Sequence, residues 1–208
     1  MDIGTSAGLA FSSGINAYFP LLALAIATRV WPTQVHINPH FVFITQPWFM
    51  ILMAVLTLAD IFADKIPVVD HVWDAIHTVI RPVAGALSAA AAGNATIDST
   101  WLPVTLALGA VLAGVTHTTK AATRVTLTAT TGGCLNIALS VGEDIVMLLS
   151  VAMAFLLPHV LLIAIILFVI AFLMIVPRII RRLRRLRQMR HKHNAPTVPL
   201  QHGSAGRF

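Results

Sequence analysis

The sequence predicts an all-α polytopic membrane bundle of about six transmembrane helices, and three observations lead there. The 208 residues are 57% apolar and only 11% charged, with a mean hydropathy of +0.84, a balance too apolar for a soluble domain of this size. The apolar runs are long and lack alternation at period two, so the crossings read as helices and not as barrel strands. Eight of the fourteen basic residues lie between Arg178 and Lys192, directly after the most apolar run in the chain. The net charge of +6 is therefore a topology signal at a membrane edge, and without interleaved aromatics it does not describe a nucleic-acid surface.

Segment one is expected over Ile3 to Thr28 and is retained as a span, because the N-terminal stretch lacks the basic region of a cleaved signal. Gly8, Gly14, Asn16 and Pro20 interrupt it, which predicts either a broken helix or close packing on a neighbour. Arg29 to Gln46 reads as an extramembrane loop. Segment two starts at Pro47 and runs to about Ile66, where Pro67 ends it. Segment three covers Val68 to Ala92 and closes on GALSAAAAG, a run of small residues suited to tight helix contact. After a polar loop, segment four starts near Trp101 and leaves the hydrocarbon near Thr118; segment five covers Cys134 to Leu157 and segment six Val160 to Val176. The expected domains are thus a transmembrane unit 1–177, with halves of about 1–92 and 93–177, a basic juxtamembrane helix 178–193 and a disordered tail 194–208. Six crossings would put both termini on one side, and the arginine cluster makes that side the cytoplasm of a bacterial inner membrane, with anionic lipid as the partner of Arg178 to Lys192.

Within this apolar chain the stretch ADIFADKIPVVDHVWDAIHTVIRP, Ala59 to Pro82, is rich in ionisable groups. Asp60 and Asp64 share a helix face, and Asp70, Asp74, His77 and Arg81 form a narrow stripe opposite Val72, Ile76, Val79 and Val83. His117, Lys120, Arg124 and Thr128 share a face of segment four, whereas the adjacent Glu143 and Asp144 point about 100° apart and must find different partners. Each charge at membrane depth costs roughly 2.5–3.5 kcal/mol on translocon scales, so these groups need partners, water or an ion. Six acids (Asp60, Asp64, Asp70, Asp74, Glu143, Asp144) face four bases (Lys65, Arg81, Lys120, Arg124), and the two acids in excess suit a cation or protons.

That count supports a cation- or proton-coupled transporter or small channel, with the acids and bases above and Asn16 as its binding residues and with Asp64→Asn or Glu143→Gln removing activity. Short similarities between AGLAFSSG and AGVTHTTK, and between LTLADIF and LSVGEDIV, suggest two inverted three-helix repeats, a frequent transporter plan. Other readings stay open. Paired charges can be a structural network, anionic lipid can be translocated by the basic residues, lipid phosphates can be turned over by an intramembrane enzyme, and small-residue faces can serve a scaffold or a homo-oligomer. No cofactor is expected: the single Cys134 rules out an intramolecular disulfide and thiolate metal motifs.

The segments ADKIPVVDHVWDAIHTVIRPVAGAL, GINAYFPLLALA, THTTKAATR and LSVGEDI together resemble the bacterial membrane family known as domain of unknown function 4126. The resemblance covers about Gly8 to Pro158 and rests most specifically on Asp64 to Pro82. It implies a small integral membrane protein and brings no assigned activity, substrate or cofactor.

Overall fold

The structure, a computed structural model, describes residues 2–66, 69–93, 100–132 and 134–193; side chains at 70, 71, 129, 130, 179, 180 and 182–193 lie outside the description. The break expected at Pro67, the side chain of Asp70, most of the polar loop after Gly93, the basic side chains beyond Arg181 and the tail from Asn194 therefore fall outside the described residues. Those residues form seven α-helices and no strand: α1 (Ile3–Ser13), α2 (Phe19–Val30), α3 (Pro47–Ala63), α4 (Val69–Ala92), α5 (Leu102–Thr131), α6 (Asn136–Leu156) and α7 (Pro158–His193). A 3-10 helix, Pro39–Thr45, leads into α3 at a bend of 68°. Four helices, α4 to α7, are long and apolar enough to cross a membrane, and the bent pair brings the number to five. The fold is a helical membrane bundle.

The chain divides into two compact units, Met1–Val169 and Ile170–Phe208. In the second, α7 continues as one helix through Pro177 to His193, where a separate juxtamembrane helix was expected.

Segment one, expected as a single crossing, is two half-helices. At 1.5 Å per residue α1 and α2 measure about 17 and 18 Å, short of the roughly 30 Å of hydrocarbon. The spacing of small residues on α1 explains its path. Gly4, Gly8 and Ser12 lie at steps of four and meet Pro158, Ala154 and Ser150, so α1 runs antiparallel to α6. A Cβ on Gly8 would come within 2.8 Å of the Ala154 Cβ, and the Ser12 and Ser150 hydroxyls hydrogen bond at 2.8 Å. Beyond Ser13 the chain turns, and Asn16 Oδ1 accepts the N–H groups of Tyr18 and Phe19 at 3.0 Å each to start α2. The chain then returns, because the Asn38 N–H after α2 donates to the Ala91 carbonyl at the end of α4. Both ends of the α1–α2 hairpin therefore lie at the same end of the bundle, where α4 ends and α5 and α7 begin. Its irregular tip, Gly14 to Tyr18, lies inside, against Ala113 and Thr116 of α5.

The small-residue run predicted for tight contact makes one. Gly85 of α4 and Gly109 of α5 bring backbone against backbone: a Cβ on Gly109 would lie 2.5 Å from the Gly85 carbonyl oxygen. Ala89 to Ala92 are almost fully buried. The threonine-rich end of α5 is helical to Thr131, as the shared face of His117, Lys120, Arg124 and Thr128 requires. Thr118, Thr119, Thr123, Thr126, Thr128 and Thr131 each donate a hydroxyl hydrogen to the carbonyl four residues back, which satisfies those polar groups without water.

Two glycines of similar sequence context should respond oppositely. Gly109→Val drives side-chain atoms into the α4 backbone and should cost about 1–3 kcal/mol, whereas Gly142→Ala, with nothing within 4 Å, should stabilise α6 by up to about 1 kcal/mol. Thermal unfolding in one detergent reads both shifts.

Candidate functional site

Helix periodicity brings the charged groups to one place. Along α4, Asp74, His77 and Arg81 face inward while Val72, Ile76, Val79 and Val83 are more than half exposed, as the stripe predicted. On α5, His117, Lys120 and Arg124 are all buried. The last turn and C-cap of α3 add Asp60 and Asp64, and α6 adds Glu143. The charges form two connected tiers.

In the tier around Asp64, that carboxylate accepts from Lys120 Nζ at 2.6 Å and from both Arg124 Nη atoms at 3.0 and 3.3 Å. Glu143 Oε2 lies 2.6 Å from Arg124 Nη2 and 3.4 Å from Lys120 Nζ. Lys120 also donates to the carbonyl of Ile15 at 3.1 Å. Its ammonium thus sits among two carboxylates and a carbonyl at the C-terminal end of the half-helix α1, an environment suited to a cation. Lys65 pairs with Asp144 at 2.7 Å, so Glu143 and Asp144 have the separate partners their spacing required.

The second tier surrounds Asp60, which is 1% exposed. Trp73 Nε1–H donates to Asp60 Oδ1 at 2.6 Å, and Arg81 Nη2 lies 3.4 Å from the same oxygen. Arg81, fully buried, also donates to Asp74 Oδ1 at 3.2 Å and to His117 Nδ1 at 2.6 Å. Asp74 joins the tiers, since its other oxygen is 3.7 Å from Arg124. Among the described groups Asp60 Oδ2 and Arg81 Nε have no hydrogen-bond partner. An unpaired acceptor and an unpaired donor on two ion-paired residues leave this tier unsatisfied.

Hydrogen-bond partners fix both histidine tautomers. His77 Nδ1 faces the Trp73 carbonyl at 2.8 Å and must carry hydrogen, which leaves Nε2 to accept from the Tyr18 hydroxyl at 3.1 Å. His117 Nδ1 accepts from Arg81, so its hydrogen is on Nε2, facing Thr78 Oγ1 at 3.3 Å. With neutral histidines, the inner cluster holds four carboxylates (Asp60, Asp64, Asp74, Glu143) and three cations (Arg81, Lys120, Arg124), one negative charge in excess.

Of the residues named from sequence, Asp60, Asp64, Asp74, His77, Arg81, Lys120, Arg124 and Glu143 converge, and Lys65 with Asp144 flank them. Asp70 is on α4, with its side chain outside the description. Asn16 is close by but shapes the hairpin tip, with its carbonyl oxygen committed to backbone N–H groups. Sequence reading left Tyr18, Trp73, Thr78 and His117 out of the site. Signals existed for two of them: His117 is on the Lys120 and Arg124 face, and Trp73 precedes His77 by four. Among the described residues no three His, Cys, Asp or Glu side chains converge as metal ligands.

Away from the charges, at the end of the bundle where α1 begins, a cavity of about 840 Å³ is walled mainly by apolar groups, including Ala7 and Ala10 of α1 and Leu108 and Leu112 of α5, with Asp2 and His159 also in its lining.

The two ion pairs predict unequal stability losses. Asp64→Asn leaves two buried cations short of a carboxylate and should cost about 3–5 kcal/mol, while Lys65→Gln, in a pair 21–29% exposed, should cost no more than about 1 kcal/mol. Chemical unfolding of the purified variants measures the difference.

No curated protein and no solved structure matches the chain. A family model described as "Domain of unknown function (DUF4126)" matches residues 3–178, most of the chain. The carriers of the resemblance, above all Asp64 to Pro82, lie within that match and build the charged cluster, and the chain belongs to this family.

Proposed function

We propose that this is a cation- or proton-coupled transporter or small channel of a bacterial inner membrane, working through the buried charge cluster. The single observation that carries the reading is the unsatisfied tier: a fully buried carboxylate, Asp60, with a free oxygen, inside a cluster bearing one negative charge too many. A group engaged only in holding helices together is better served by complete pairing or by apolar side chains. The re-entrant hairpin supports the same reading, because irregular backbone at membrane depth occurs where it is enclosed by protein or lines a water-filled path. Half-helix ends aimed at charges are a recurring feature of transporter ion sites.

Lys120 and Arg124 are each engaged by at least two carboxylates, which disfavours the alternatives that need them to hold phosphate: a translocator of anionic lipid or an enzyme on lipid phosphates. The topology we propose has five crossings, α3 to α7, with α1–α2 as a hairpin entering from one face. By the positive-inside rule the end carrying Lys65, Lys120 and Arg124 faces the cytoplasm, and Arg178 to Lys192 meets anionic lipid there. The beginning of α1 then faces the opposite side, in place of the shared side expected for six crossings. The two inverted three-helix repeats expected from short sequence similarities do not fit this topology, because α1 and α5 begin at the same end of the bundle and run in the same direction.

Asp60→Asn is the informative variant, since the amide still accepts from Trp73 and Arg81 keeps Asp74. Purified protein in liposomes should move protons or a monovalent cation down an imposed gradient, and Asp60→Asn should reduce the flux at least about tenfold with the thermal midpoint nearly unchanged. Absence of flux across a screen of cations would leave the cluster as a structural network and refute the reading.

A further inference from the structure

We propose that the Asp60–His77 pair is the proton-binding site of this protein, taking up one proton that neutralises the buried cluster. The inference deepens the transport reading, on which its functional meaning rests, by naming the ion and the groups that hold it.

The geometry isolates this pair. Asp64 and Glu143 have cations on them at 2.6 Å, and Asp74 has Arg81 at 3.2 Å. Asp60 has Arg81 only at 3.4 Å and keeps one oxygen free. His77 Nε2 lies 3.7 Å from Asp60 Oδ1, and both side chains are 1% exposed. The Nε2 lone pair is the vacant basic position, because Nδ1–H is committed to the Trp73 carbonyl. An arriving proton forms the Nε2–H bond, and the imidazolium then faces the Asp60 carboxylate. The cluster goes from one net negative charge to none, and no bond other than the incoming proton's own is broken.

The other groups around the pair suit this exchange. Tyr18, from the hairpin tip, donates its hydroxyl hydrogen to Nε2 in the neutral state; it must rotate to accept once Nε2 is protonated. Trp73 stacks on the imidazole with centroids 4.9 Å apart, a face that favours a cationic ring. Arg81 opposes the added charge, and Asp64 one turn along α3 favours it. His117 of α5 is on the far side of Arg81, with Nδ1 already accepting from that guanidinium, so it cannot take a proton there without displacing it. The proton belongs to the pair, since two groups this close titrate together.

Nuclear magnetic resonance on full-length protein in lipid nanodiscs tests the site without requiring flux. With ¹⁵N-histidine and ¹³C-aspartate labels, assigned by subtraction of His77→Gln and Asp60→Asn, the pair should gain one proton between about pH 9 and about pH 5, and His77 should be the Nδ1–H tautomer at the alkaline end. In Asp60→Asn the His77 midpoint should fall by at least about one pH unit, a tenfold loss of proton affinity. The proposal is overturned if neither group of the wild-type pair gains a proton over that range, a result that does not depend on any variant folding. An unchanged His77 midpoint in a folded Asp60→Asn sinks it equally. Titration without flux in liposomes would keep the site and reject transport; flux with a silent pair would reject this site alone.

Discussion

The structure depends on one desolvated ion cluster, in which Asp64 at the end of α3 is gripped by Lys120 and Arg124 of α5 and the same two cations reach Glu143 of α6. None of these charges could be left alone at membrane depth, where the cost of each is several kcal/mol. Together they fix the rotation of three helices at once, since turning any one by a residue, about 100°, would strand a buried charge. Asp74 extends the constraint to α4, and the bond from Lys120 to the Ile15 carbonyl extends it to the hairpin tip. The outer surfaces follow by default: the large apolar side chains left outside are mostly Val, Ile and Leu.

A second constraint lets the first be built. The α1–α2 hairpin brings an irregular turn into the protein, its N–H groups paired with Phe11, Ser12 and the Asn16 side chain, which is tolerable only if α1 can lie against its neighbours without lipid between them. Gly4, Gly8 and Ser12 allow that approach on the α6 side, Gly14 allows it toward α5 and Gly85 toward α4, while Gly109 brings α4 and α5 together. Serine hydroxyls complete the packing, with Ser12 to Ser150 at 2.8 Å and Ser13 to Ser88 at 2.9 Å. Small residues thus do here what apolar burial does in a soluble core, because lipid tails offer no hydrophobic incentive for helices to associate.

These two constraints divide what could be read from the sequence. Helix faces were legible, because the i, i+3, i+4 spacing of Asp74, His77 and Arg81, and of His117, Lys120 and Arg124, is a local property with one geometric consequence. Helix ends were legible where proline marks them, as at Pro47, although α7 takes Pro158 and His159 into its first turn where the sequence suggested a turn before Val160. The path of segment one was not: Gly8, Gly14, Asn16 and Pro20 announce a break, but whether the chain continues across or turns back depends on where α6 stands, which no local pattern contains. Tyr18 and Trp73 were missed for a related reason. Each enters the site through a hydrogen-bonding tip on an otherwise apolar side chain, and only the tertiary position of Asp60 and His77 reveals that use.

The cavity and the charges occupy opposite parts of the same bundle, and what separates them is narrow. Along α5, Leu112 at the cavity wall and His117 at the cluster are five residues apart, about 7.5 Å of helix rise. The material between is the hairpin tip, with Gly14 against Ala113 and Thr116, and the glycine contact of α4 with α5. On the proposed transport reading a solute path would pass there, beside the hairpin tip, which is held to the cluster by the Lys120 bond to Ile15 and the Tyr18 bond to His77. The second of these bonds changes character when His77 gains a proton. On the proposed reading, the event that neutralises the cluster also alters a tether of the hairpin, which is the coupling a proton-driven carrier would need and a static ion-pair lock would not.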